Sequence, residues 1–163
     1  EDFDNNDDLS ENEDDALQLP YTSYEERIKQ TPVAGTWTGT RGESTFFSNK
    51  PEVTDYHNEG IEYSNGYPDF APLVKYEVEI DQISTDRAEN FKKADQKLAD
   101  QLNVKRKDVA KMRKNESLTW HEVEDMKTMQ LIPSAPHSKL GHIGGVGEAK
   151  KREALILSTQ SGW

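Results

Sequence analysis

Residues 118–133, LTWHEVEDMKTMQLIP, decide the fold. Two short runs with apolar residues, 118–123 and 129–132, flank a polar turn at 125–128, and this pattern predicts a β-hairpin. Pro133 ends the second run, and Ser134 is a suitable N-cap for a short helix that carries His137. With His142, three of the four histidines in the chain follow one another between residues 121 and 142. A hairpin and helix that bear histidines in this order predict a site for one metal ion.

The candidate metal ligands are His121, His137 and His142, because neutral imidazole binds borderline cations such as zinc and nickel well. Neighbouring strand residues point to opposite faces, so Glu122 shares the site of His121 only if the strand is irregular or ends there. Five residues on a regular helix separate side chains by about 140°, so His137 and His142 bind one ion only if one lies at a helix end. The alternative is a surface pair of histidines, with His121 an ordinary strand residue. The fourth, His57, lies in a polar loop, and we expect it to be solvated and without a role.

The composition predicts one modest domain and a tail. The 163 residues are 33% hydrophobic, and no cysteine is available for disulfides or a thiolate zinc site. No signal peptide or membrane-spanning apolar run is visible, and membrane insertion is not expected. Since the chain starts at Glu1 rather than Met, we expect it to be the end of a longer protein.

Charge is unevenly distributed along the chain. The formal net charge of the chain is −11. Residues 1–15 carry nine acidic groups and no basic one. The rest has 22 acidic against 20 basic groups, and residues 87–114 have ten basic against four acidic. We therefore expect an acidic linker at 1–16, which could also act as a polyanion mimic over the basic segment, followed by a domain at 17–163.

Periodicity predicts an α+β fold, in which helical and strand elaborations precede the histidine hairpin. A helix is expected at Tyr21–Lys29 with Ser23 as its cap, and residues 148–158 fit either a helix or a strand. The other expected elements are a strand and turn at 35–42, a polar loop at 48–60, strands at 61–63 and 73–80, and helices at 86–102 and 105–114.

The histidine segment resembles the Trp-His-His branch of the HNH/endonuclease VII nuclease superfamily. The similarity is carried by residues 118–125, 129–133, His137 and 142–145. Weaker pieces upstream, at 35–44, 68–72, 85–87 and 90–91, extend it over roughly residues 35–148. Members of this branch form the C-terminal ends of bacterial polymorphic toxins, which are delivered to competitor cells and neutralised by a cognate immunity protein. The resemblance implies a ββα-metal (His-Me) finger that holds one divalent ion, here Mg, Mn, Ni or Zn.

The resemblance also implies roles for individual residues. His121 matches the first histidine after the tryptophan, a metal ligand, while His137 and His142 match the helix ligands. Glu122 stands where the branch has a second histidine, the general base of related fingers. Either Glu122 is the base, or His121 takes that role and the ion has fewer protein ligands. The finger asparagine has no clear match; Gln130 is the nearest substitute, unless it is a solvent-facing strand residue.

Basic residues supply candidate contacts with nucleic acid. Arg41 lies between two glycines ahead of a serine, which suits phosphate contact, although a structural turn arginine is the alternative. The second predicted helix is strongly basic and could follow a nucleic-acid backbone, or simply be a solvated face. Its candidate residues are Lys105, Arg106, Lys107, Lys111, Arg113 and Lys114.

Our leading hypothesis is a metal-dependent endonuclease toxin that hydrolyses phosphodiester bonds, with DNA favoured over RNA. Its expected partners are nucleic acid, a small acidic immunity protein over the basic segment and the histidine cleft, and a larger toxin upstream. It would be secreted or delivered into the cytoplasm of a target cell. The alternatives are a non-catalytic metal-stabilised interaction module, an RNA-cleaving toxin with the same finger, and a housekeeping nuclease. Three histidines leave an open coordination position, which favours catalysis over a closed structural site.

Overall fold

The computed structural model describes residues 18–161, and the predicted α+β class is confirmed. The acidic linker predicted at residues 1–16 lies outside this range. The helices described are α1 Tyr24–Gln30, α2 Pro51–Thr54, α3 Arg87–Leu102, α4 Arg106–Asn115, α5 Ser134–Lys139 and α6 Gly145–Ser161, with a 3-10 turn at Ala71–Leu73. The strands described are β1 Gly35–Trp37, β2 Thr45–Ser48, β3 Ile61–Ser64, β4 Tyr67–Pro68, β5 Tyr76–Glu79, β6 Leu118–Glu122 and β7 Thr128–Pro133. None of these helices is long and apolar enough to cross a bilayer.

The predicted hairpin is confirmed as β6 and β7, which form an antiparallel three-stranded sheet with β5 on the outer side of β7. Asp125 Oδ1 accepts the backbone N–H groups of Lys127 and Thr128, so this carboxylate caps the turn. Directly opposed residues of an antiparallel pair share a face. Trp120 opposes Leu131 on one face of the sheet, and His121 opposes Gln130 on the other.

The Trp120 face of the sheet packs against α3, α4 and the start of α6. This burial forms the first hydrophobic cluster, whose members are Val78, Ile80, Ile83, Ala94, Leu98, Ala99, Val109, Trp120, Met126, Met129, Leu131, Val146 and Ala149. Helix α3 begins after Asp86, whose side chain accepts the N–H of Glu89, and it ends at Asn103 in the left-handed conformation. Both ends match the prediction.

The His121 face packs against a second antiparallel sheet, in the order β1-β2-β3-β4. The second hydrophobic cluster lies between them, and its members are Phe46, Val53, Ile61, Tyr63, Phe70, Leu73, Ile132 and Leu140. The histidine-bearing face therefore lies inside the molecule, covered by residues that come before it in the sequence.

Several local predictions were wrong. Helix α2 interrupts the expected loop at 48–60. Ser134 is the first residue of α5 and not its cap, which is Pro133, and its N–H bonds the carbonyl of Ser117 across the hairpin. The undecided segment at 148–158 is helical, within α6.

Candidate metal centre

The structure brings His121, His137 and His142 together. One nitrogen from each lies within 4.8 Å of the others, and the ring centroids are 4.9 to 5.4 Å apart. His121 comes from β6 and His137 from α5, whereas His142 lies beyond Lys139, the last residue of that helix. The chain therefore leaves the helix between the two histidines, which removes the 140° separation of a regular helix.

Phe70 forms one wall of the histidine cluster. Its ring is buried, and its centroid lies 4.7 Å from that of His121, 5.7 Å from His137 and 5.3 Å from His142. An apolar wall of this kind removes water from one side of the imidazoles. Phe70 therefore closes one side of the histidine cluster to solvent.

The protonation of the cluster suits metal binding. Burial is the main cause that lowers the pKa of all three histidines, to about 3 for His137 and well below the usual range for His121. Each ring is thus neutral near pH 7, the form that binds a metal ion. The Nδ1 of His142 donates to the carbonyl of Leu140 at 2.6 Å, which leaves its Nε2 lone pair for a metal.

His121 has an orphaned atom. Its Nδ1 is buried and finds no hydrogen-bond partner among the described residues. A buried polar atom without a partner is unfavourable, and a bound cation would remove that penalty. Three neutral imidazoles, one with an unused buried nitrogen, therefore fit a divalent cation of the zinc or nickel type.

Trp120 is anchored beside the cluster by a buried carboxylate. Asp95 on α3 accepts the indole Nε1–H of Trp120 at 2.8 Å, and Arg113 on α4 forms two hydrogen bonds with the same carboxylate. This contact fixes β6 against both helices. It therefore sets the position of His121, the next residue along the strand.

Two glycines let α6 approach the hairpin closely. A Cβ on Gly144 would lie 2.5 Å from the carbonyl oxygen of Glu122, and one on Gly145 would lie 2.6 Å from that of Val123. Both distances are shorter than a carbon and an oxygen can approach without displacement of the backbone. The absence of side chains at Gly144 and Gly145 thus allows the start of α6 to pack against the end of β6.

Glu122 lies beside the cluster but is not one of the three clustered groups. Its carboxylate accepts Arg87 Nε at 3.0 Å and Asn90 Nδ2 at 3.1 Å, both from the first turn of α3. Burial raises the pKa of Glu122, while the bond from Asn90 and the charges of Arg87 and Lys150 oppose that rise. The charge on Arg87 also lowers the pKa of His137 and His142, so its guanidinium faces the cluster.

A cavity of about 250 Å³ joins these groups. Its walls include all three histidines, Glu122 and Arg87. The side chain of Arg87 is 63% exposed, against 6% for Glu122. A cationic side chain at the rim and a carboxylate on the wall thus face the same space as the candidate ligands.

Gln130 lies outside the histidine cavity. It opposes His121 on the sheet, but its amide donates to Glu77, and it lines a second cavity of about 490 Å³. That cavity is acidic, with Glu62 and Glu124 among its walls. The second cavity includes His121 but neither of the other two histidines. Gln130 thus lies outside the histidine cavity but shares a sheet face and the second cavity with His121, and its catalytic role stays a prediction.

None of the predicted nucleic-acid contacts lines the histidine cavity. Arg41 donates to the hydroxyl and carbonyl of Thr31 and to the carbonyl of Lys29, so it holds the end of α1. Arg113 is paired with Asp95. Helix α4, which carries the remaining candidates, packs on the Trp120 face of the sheet, opposite the face that carries His121.

Four residues of the site were absent from the predicted site residues. They are Phe70, Arg87, Asn90 and Asp95, which lie 26 to 51 positions upstream of His121. Phe70, Arg87 and Asn90 fall within the weaker upstream pieces of the resemblance, which was a signal for their importance. Nothing in the sequence distinguished Asp95 from the other acidic residues of α3.

Comparison with known families agrees with this geometry. The family model of the DNase/tRNase domain of colicin-like bacteriocins matches residues 60–144, just over half of the chain. The chain belongs to this family. The matched segment holds the three clustered histidines, Glu122, Phe70, Arg87, Asn90 and Asp95. No match was found among curated proteins. Family membership makes this a nuclease toxin domain that acts on nucleic acid.

Proposed function

We propose that this domain is a metal-dependent endonuclease that hydrolyses phosphodiester bonds of DNA. The observation that carries the proposal is the convergence of three neutral histidines with Glu122 and Arg87 on one cavity. His121, His137 and His142 would hold a single divalent cation. Such an ion, when bound, supplies Lewis acidity at a phosphate oxygen and stabilises the leaving oxygen.

Glu122 is the proposed general base. The alternative base, His121, is one of the three clustered groups, and the low pKa of its imidazole makes it a poor proton acceptor. Burial raises the pKa of Glu122, which makes the carboxylate more basic than an exposed one. Asn90 and Arg87 orient the carboxylate, and in this role Glu122 accepts a proton from the attacking water.

Arg87 is the proposed phosphate contact. Among residues 18–161, only its Nε has a hydrogen-bond partner, which leaves the outer guanidinium nitrogens for an anionic oxygen. Arginine suits this role because its planar guanidinium matches two phosphate oxygens at once. The ion pair with Glu122 limits how far the side chain can move from the cavity.

DNA is the proposed substrate because Glu122, in its proposed role, would activate water as the nucleophile. A site with its own base for water does not need the ribose 2′-hydroxyl as an internal nucleophile, so its chemistry works on deoxyribose. RNA cleavage by the same residues is the second candidate, since the family description covers both DNases and tRNases. We retain the prediction of a Trp-His-His toxin tip that is delivered into competitor cells and neutralised by an immunity protein.

The test is cleavage of supercoiled plasmid and of total RNA with magnesium, manganese, nickel, zinc or EDTA. His121→Ala should abolish cleavage with every metal, because it removes a ligand from the cluster. His57→Ala is the matched control, since His57 bonds the carbonyl of Gly60 and lies outside the cluster. This control should cleave at the wild-type rate.

Either of two results would overturn the proposal. Cleavage by the unsubstituted chain in EDTA would show that the reaction does not need a metal ion. No cleavage of either polymer with any metal would favour a non-catalytic, metal-stabilised module instead.

A further inference from the structure

The outer face of α4 is a concentrated positive surface. Five exposed cations lie on α4 and at its N-cap within ten residues, and none forms an ion pair with another described residue. They are Lys105, Arg106, Lys107, Lys111 and Lys114, which we call the α4 basic face. Like charges three or four residues apart on a helix destabilise it. The α4 basic face therefore gains stability from an external anion.

The position of this face argues against an anion held at the metal centre. Helix α4 packs on the Trp120 side of the three-stranded sheet, and the clustered histidines lie on the other side. A phosphate in the histidine cavity has Arg87, not α4, on the wall beside it. The α4 basic face thus takes no part in the histidine cavity.

The chain itself contains a segment of matching charge. Residues 1–15 carry nine carboxylates and no cation. The described chain begins at Gln18, and Tyr21 packs against the same hydrophobic cluster as Met112 of α4. Fifteen extended residues span up to about 50 Å, about twice the length of the 16-residue α3. This span is about three times the length of the ten-residue α4.

We propose that residues 1–15 bind the α4 basic face within the same molecule. A tethered partner acts at a high effective concentration, on the order of millimolar for a short flexible linker, so weak pairs suffice. The segment neutralises the repulsion along α4 and competes there with other polyanions, including nucleic acid. The proposal does not depend on which nucleic acid is cleaved, or on cleavage at all.

The test is zero-length carbodiimide coupling of carboxylates to lysines in the dilute full-length chain. The coupled monomer is then digested and analysed by mass spectrometry. Linkages from residues 1–15 should concentrate on Lys105, Lys107, Lys111 and Lys114. Lys29 and Lys50 are the matched controls, because both are exposed and lie on other elements. The linkages to α4 should be lost at about 1 M salt, where the Debye length falls to about 3 Å.

A second variant measures the same contact without coupling. Conversion of the nine carboxylates of residues 1–15 to amides should increase hydrogen exchange in α4 and leave exchange in β6 unchanged. Linkages spread equally over Lys29, Lys50 and α4, or directed to Lys139 and Lys150 near the histidine cavity, would overturn the proposal. Unchanged exchange in α4 would also overturn it.

Discussion

Glu122 differs from the histidine expected at its position in the Trp-His-His branch, and its surroundings suit a carboxylate. Arg87 and Asn90 donate to its two oxygens, and burial raises its pKa. A neutral histidine offers one acceptor nitrogen and could not accept from both partners at once. A glutamate at position 122 can therefore accept both of these hydrogen bonds, one on each oxygen.

Glu122→Gln should lower the rate of cleavage by about 10² to 10⁴-fold, the usual contribution of a general base. The amide keeps the shape of the side chain but cannot accept the proton of water. Metal affinity, measured by calorimetry, should stay at the wild-type value because Glu122 is not one of the clustered groups. Glu124→Gln is the control, since Glu124 lines the other cavity. An unchanged rate in Glu122→Gln would leave Glu122 only the role of holding Arg87.

The histidines could be predicted from sequence, but the residues that serve them could not. His121, His137 and His142 stand out because histidine is rare in this chain and their spacing follows a hairpin and helix. Arg87 and Asn90 lie more than 30 positions upstream and meet Glu122 only through the packing of α3 on the sheet. Local patterns contain no information about such a contact.

Helix α3 shows how a buried polar group alters an amphipathic pattern. Ala88 and Leu102 lie at a helical spacing with the buried apolar residues Ala94 and Leu98, yet both are exposed. Asn90 and Asp95 are buried in addition to the apolar residues, because each has hydrogen-bond partners across the interface. The extent of the helix was predictable from its caps, whereas its buried face depended on partners from other elements.

Asp95→Asn should destabilise the fold by about 3–5 kcal/mol, the range for removal of one partner from a buried ion pair. The change leaves Arg113 without its counter-ion and weakens the bond to Trp120. Urea unfolding measures the loss. Asp100→Asn on the exposed side of the same helix is the control and should change stability by less than about 0.5 kcal/mol. Equal effects of the two substitutions would show that the Asp95 network contributes little.

Across the whole molecule, Glu148 connects three parts of the chain. This fully buried carboxylate on α6 accepts the backbone N–H groups of Tyr21 and Thr22 and the hydroxyls of Thr22 and Tyr67. It thereby ties the segment before α1 and the end of the four-stranded sheet to the helix that follows the metal centre. This network was invisible in the sequence, where Glu148 is one of many acidic residues.

Glu148→Gln should lower the free energy of unfolding by about 1–3 kcal/mol, because one amide group cannot accept all four donors. The loss should be measured by urea unfolding without metal, so that metal affinity does not contribute. Glu153→Gln on the exposed side of α6 is the control. If Glu148→Gln lowers the free energy of unfolding no more than the control does, the donors of Tyr21, Thr22 and Tyr67 form hydrogen bonds with water instead.

The histidine cluster also predicts how stability depends on pH. Each histidine has a pKa near 6.5 in the unfolded chain, and burial lowers the pKa of His137 to about 3 in the folded chain. The unfolded state therefore binds more protons between these values. The metal-free protein should be at full stability above about pH 6.5 and lose it progressively as the pH falls toward about 3.

Thermal unfolding in EDTA across this range measures the slope of stability against pH. His137→Ala should make the slope shallower, whereas His57→Ala should leave it unchanged, and equal slopes in the two variants would contradict the prediction. Added zinc or nickel should raise the Tm, because the ion binds the neutral ligands of the folded chain.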